Sequence, residues 1–218
     1  MLKVVFTLFN SCFVLVIGWA AFRYHTVKNI SYIKDCKKVS FLFLLSSLLL
    51  FFLYFSFLKQ FFLKFTVAPF LFLFLFYLLL IGAYRIMQSH LNEKLIKKNE
   101  AKRMYWTSMS YRYIVSKSFN ILFQQMGVLC VVALLKDLAF SYFSIMLLFA
   151  FAFGITHIYL YRKKIISLIA EIFIPASFLG GFIFPLILLN VSYGIVYTYM
   201  IHWSFYLFFG VLLNLKKV

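Results

Sequence analysis

Seven stretches of this chain are each about as long as a bilayer is thick and nearly free of charge, at residues 4–22, 40–58, 65–84, 119–135, 138–161, 165–190 and 192–214. A helix needs about 20 predominantly apolar residues to cross a hydrocarbon core, and in lipid it is the element that pairs all its backbone groups within one segment. These runs predict an all-α, polytopic membrane helix bundle forming one integral membrane domain over residues 1–218, with seven crossings. Composition agrees: 65% of the 218 residues are hydrophobic, 31 are Phe, and the mean hydropathy is +0.99, where soluble domains sit near half apolar. The sixth run contains Pro175, Gly180, Gly181 and Pro185, so it is expected to be kinked, broken or re-entrant, with eight crossings as the alternative.

The net charge of +17 would suggest nucleic acid in a soluble chain, but the 22 basic residues fall between apolar runs and act as topology signals, which removes nucleic acid as a partner. The loops after runs one, three, five and seven carry 18 of them, including Arg112 and Lys117, and the alternate side carries only Lys3, Lys59, Lys64 and Lys136. The positive-inside rule then places the N-terminus outside and the C-terminus in the cytoplasm. The first run is longer than a usual signal-peptide core and has its basic cluster after it, so it reads as a membrane span, the Gly18-x-Ala20 pattern being a weak cleavage signal. Cys12, Cys36 and Cys130 have no paired spacing, which indicates neither a disulfide framework nor a zinc site.

Residues 85–117 form the one sizeable polar segment, too short for its own core. Met87, Leu91 and Leu95 recur every four residues among Glu93, Lys94, Lys97, Lys98, Glu100 and Lys102, the pattern of an interfacial amphipathic helix. It serves as a connecting loop at an anionic leaflet or as a gate or dock for a substrate.

Gln124, Gln125, His157 and His202 lie inside the apolar runs. Such groups in lipid face a protein interior or a cavity; the plain role for any one is a hydrogen bond to a neighbouring helix. Gln124 and Gln125 fall about two turns into run four and His157 about one turn from the end of run five, while His202 is nearer the middle of the last run. All can approach one cytoplasm-facing layer if the helices tilt.

These residues carry a resemblance. Phe153-Gly-Ile-Thr-His157, with Gln124-Gln125 beginning 33 residues before that histidine and His202-Trp-Ser-Phe-Tyr206 following, over roughly residues 120–210, resembles the CPBP family, the CAAX-protease and bacteriocin-processing intramembrane glutamic proteases. That family's signature is Glu-Glu-x-x-x-Arg, Phe-x-x-x-His and His-x-x-x-Asn on successive helices. Here Gln124 and Gln125 stand in place of both glutamates, Leu129 in place of the arginine and Tyr206 in place of the asparagine. The resemblance implies a bundle of about eight helices around a cytosol-facing cavity lined by Phe153 and Tyr206, a bacterial plasma membrane, and a membrane-associated peptide or protein as partner. It also implies that Gln124, Gln125, His157 and His202 occupy the catalytic positions.

In the family the glutamates activate water, and His and Asn donors stabilise the oxyanion. A glutamine amide can orient water but cannot accept its proton, so the sequence predicts a catalytically impaired homologue that binds a peptide. One alternative is an active protease with His157 or His202 as base, oriented by Glu171, the acidic residue of run six; the other is a small transporter or assembly subunit. No cofactor is expected. Two histidines are too few for a metal centre, and Ser204 and Thr156 stand at the wrong helical offset from a histidine to serve as nucleophiles.

Overall fold

The computed structural model describes residues 2–28, 30–62, 66–88, 90–91, 94, 110–161 and 167–212. Among the described residues there are eight helices and no strand: α1 (Leu2–Val27), α2 (Cys36–Leu53), α3 (Phe55–Phe62), α4 (Val67–Gln88), α5 (Tyr111–Asp137), α6 (Tyr142–Tyr161), α7 (Ser167–Asn190) and α8 (Gly194–Leu212). Four segments, Cys36–Leu53, Val67–Ile86, Tyr111–Asp137 and Ile172–Asn190, are long and apolar enough to cross a membrane. Their exposed faces carry Phe41, Phe52, Phe70 and Phe74, side chains that lipid accommodates and water does not. The chain is an all-α helix bundle consistent with an integral membrane protein.

The second apolar run divides at Tyr54, the C-cap of α2. The Tyr54 hydroxyl donates to Asn10 Oδ1 of α1 at 3.1 Å. The sixth run is one continuous helix, with Pro175 and Pro185 both inside α7, so it is neither broken nor re-entrant. The fourth run, expected from residue 119, begins earlier. Ser110 caps α5, its Oγ accepting from the Tyr113 N–H at 3.2 Å, and this cap draws Arg112 and Lys117 into the helix. Lys117 is only 6% exposed, so it is not the loop cation that its place in the sequence suggests. The expected amphipathic helix falls largely outside the described residues.

Helix α5 is the axis of the bundle. It is 72% buried, against 22%, 11% and 33% for the other three spanning segments, and it touches α1, α2, α3, α6, α7 and α8, while α4 lies at the rim against α8. Ser116, Ser118, Cys130 and Ala133 keep its girth small, which lets the surrounding helices approach. Its end is a Schellman closure: Ala139, at φ 60°, donates to the Lys136 carbonyl at 2.9 Å, and Phe140 N–H reaches the Leu135 carbonyl at 3.4 Å.

Helices α6 and α7 form an antiparallel pair held by close approach. A Cβ at Gly181 would stand 2.7 Å from the Cα of Ala150, whereas one at Gly180 would meet nothing nearer than the Phe184 ring at 3.7 Å. Gly181→Val is therefore expected to destabilise the protein by about 1–3 kcal/mol through overpacking, with Gly180→Ala nearly neutral. Unfolding midpoints in detergent check this contrast.

Candidate functional site

The site is assembled from α5, α6, α7 and α8 and runs from the first turns of α5, at Lys117, to its middle, at Gln125. Gln125 on α5 is fully buried, and its Nε2 lies 2.8 Å from Nδ1 of His202 on α8, 77 residues later. With the amide donating, His202 carries its proton on Nε2. The imidazole is stacked on Tyr206, one turn further along α8, with ring centroids 5.3 Å apart and planes within 19°. Phe184 of α7 covers it at 5.5 Å. Gln125 Oε1 is buried and has no hydrogen-bond partner among the described residues.

Consecutive helical residues point about 100° apart, and Gln124 accordingly faces a different partner. Its Nε2 donates to Asn120 Oδ1 at 2.9 Å. The same oxygen accepts from Lys117 Nζ at 2.8 Å. The Lys117 ammonium sits 3.7 Å from the centroid of the Tyr206 ring and 6.0 Å from that of Tyr32, a cation–π contact that joins the Asn120 cluster to the His202 stack. Tyr32 lies in the connection between α1 and α2, where burial raises its phenol above the ordinary range, so it stays neutral and supplies no counter-charge.

His157, half-buried on α6, has Nδ1 2.7 Å from the carbonyl of Phe153 one turn earlier, and its ring is 4.3 Å from that of Phe153. Phe153 in turn meets Phe184 at 6.4 Å. Phe184 meets both Phe153 and His202, so the two histidines flank one aromatic cluster, although each is bonded to a different partner. The structure thus brings Gln125, His202 and Tyr206 into contact, sets His157 and Phe153 beside them across Phe184, and places Gln124 in the adjoining Lys117 cluster.

Aromatic rings border this layer, Phe153, Phe184 and Tyr206 among them. A cleft of about 180 Å³ lies at the other end of the bundle, between Gln60, Lys136, Leu188, Tyr193 and Ile195. Leu129, one turn beyond Gln125, is fully buried in the main apolar cluster. No protein-family model, no curated protein and no solved structure matches this chain.

Lys117 and Asn120 were not among the expected site residues, yet they stand three and four residues before their partners Asn120 and Gln124, the spacing of one helical face. The hydrophobic girdle beside them is polar in part: Trp203 Nε1 donates to Ser118 Oγ at 3.0 Å, and Tyr199 bonds both the Ser118 carbonyl and the Tyr77 hydroxyl. Among the described residues no three His, Cys, Asp or Glu side chains converge as a metal site. What the layer offers is an ammonium, amide N–H groups and two imidazoles, all able to hold an oxygen atom, with no carboxylate in hydrogen-bonding contact with them among the described side chains.

Proposed function

We propose that this chain is a membrane-embedded homologue of the CPBP intramembrane endopeptidases that binds a membrane-associated peptide or protein and does not cut it. The observation that carries the reading is the 2.8 Å contact of Gln125 with His202, which joins the first and third motifs of the resemblance across two helices far apart in sequence. His157, the histidine of the second motif, lies across Phe153 and Phe184 from His202. With amides where carboxylates would be, Gln125 bonds His202 directly and the layer loses the family's proton acceptor. The basic-loop bias gives the orientation that goes with this reading: N-terminus outside, C-terminus in the cytoplasm of a bacterial cell, and the Gln125–His202 layer toward the cytoplasmic face.

The test is cleavage of apolar membrane peptides by the purified protein in nanodiscs, followed by mass spectrometry, alongside direct binding of the same peptides. The expected result is binding without products. Turnover that either His157→Ala or His202→Ala abolishes would replace this reading with an active protease that uses imidazole as base. Absence of peptide binding in wild type would remove the peptide from the proposal.

A further inference from the structure

We infer that Lys117 is the docking point for a carboxylate group borne on an apolar chain. Lys117 is 6% exposed and meets no counter-ion among the described side chains, and a buried cation left so is among the costliest groups a membrane helix can carry. Its contacts are a neutral amide oxygen, Asn120 Oδ1 at 2.8 Å, and the face of Tyr206 at 3.7 Å. Two acidic residues have described side chains, and neither neutralises it. Asp35 accepts from the Ser31 N–H at 2.9 Å in the α1–α2 connection, and Asp137 ends α5 at the opposite end of the bundle.

The surroundings fit a single negative charge. Asn120 uses its oxygen for both Lys117 and Gln124, which leaves its amide N–H groups to donate. Gln125 Oε1, beside the same layer, is a buried amide oxygen without a partner among the described residues. Amide oxygen and nitrogen can exchange places by rotation, so Gln125 can present either polarity to an occupant. One ammonium neutralises one carboxylate, whereas a phosphate dianion would bring an unpaired charge into a layer of neutral imidazoles and phenols. Phe153, Phe184 and Tyr206 supply apolar walls for the chain that carries the group.

Two sources present this chemistry in a bilayer, the C-terminus of an apolar peptide and a long-chain fatty acid. The peptide source rests on the function proposed above, but the carboxylate site does not. The experiment compares four fluorescent probes with the wild-type protein in nanodiscs: an apolar dansyl-peptide with a free C-terminus, the same peptide amidated, a dansyl fatty acid and its methyl ester. At least one acid should bind about tenfold or more tighter than its neutral counterpart, as a charge-assisted contact to a desolvated ammonium warrants. Lys117→Met should erase that ratio and Lys117→Arg should keep part of it.

Lys117→Met also serves as its own folding control. Removing a buried cation that has no counter-ion among the described side chains should shift the thermal midpoint of the ligand-free protein upward, by about 2–4 °C, whereas a lysine present only for structure would give a downward shift. Preference for the fatty acid with indifference to both peptides would keep the carboxylate site and sink the peptide reading. Equal binding of free and amidated peptide, with no fatty-acid preference, would keep the peptide reading and overturn the site. Wild type indifferent to carboxylates, with Glu171→Gln gaining a preference, would mean that the chain supplies its own counter-ion and would also overturn it.

Discussion

Trp203→Ala is expected to cost the folded bundle about 3–5 kcal/mol, the range for deleting a large buried aromatic side chain. Trp203 is 2% exposed and packs with Leu80 of α4, Tyr113, Ile114 and Ile121 of α5, and Tyr199 of its own helix. Its removal leaves a void where three helices meet, and it strips Ser118 Oγ of the indole donor at 3.0 Å. Trp203→Phe separates the two losses, because it keeps most of the ring and removes the hydrogen bond. Interhelical hydrogen bonds in membranes average about 0.6 kcal/mol, so the phenylalanine variant should lose far less than the alanine variant. Unfolding by added SDS from a mild detergent measures both; similar losses would move the energy from packing to the Ser118 contact.

The same helix shows how far a sequence can be read. Apolar run length placed all seven long helices in order along the chain, because an apolar stretch about as long as a bilayer is thick favours a helix. It misplaced the start of α5, since Arg112, Ser116, Lys117 and Ser118 lower local hydropathy, and the burial of the last three is a tertiary matter. A lysine just before an apolar run has the same one-letter signature whether it snorkels to water or turns inward. What decides is the ring of Tyr206 lying 3.7 Å away, a contact between residues 89 positions apart by the numbering of the chain. Gln125 and His202 were legible as buried polar groups because any amide or imidazole in such a run stands out. That they would bond each other, while Gln124 joined Lys117 and Asn120, was not legible: helical period separates the two glutamines by about 100° but does not say which of them faces α8. The continuity of α7 was equally hidden, since proline marks a possible break and only packing against neighbours tells whether the helix survives it.

Replacing the glutamines by carboxylates gives the second large effect. The variant with Gln124→Glu and Gln125→Glu is expected to hydrolyse no peptide above the wild-type background, for a reason that lies one turn further along α5. A residue at 125 faces His202, but one at 124 faces Asn120, so only one new carboxylate reaches the layer where the resemblance puts the reaction. Tyr206 stacks on His202 at 5.3 Å in the position where the family has an asparagine, and loss of an oxyanion donor costs about 10²–10³ in rate. Leu129 occupies the family's arginine position and is fully buried among apolar neighbours. Adding Leu129→Arg should therefore unfold the bundle or lower its stability by several kcal/mol, because a guanidinium there has no counter-charge and no water. Mass spectrometry of apolar peptides, paired with unfolding midpoints, reads both outcomes. Turnover from the two carboxylates alone would show that neither the arginine nor the asparagine position is needed. Tolerance of Leu129→Arg would show that the core around α5 admits water, and the account of its packing given by the buried Leu129 would fall with it.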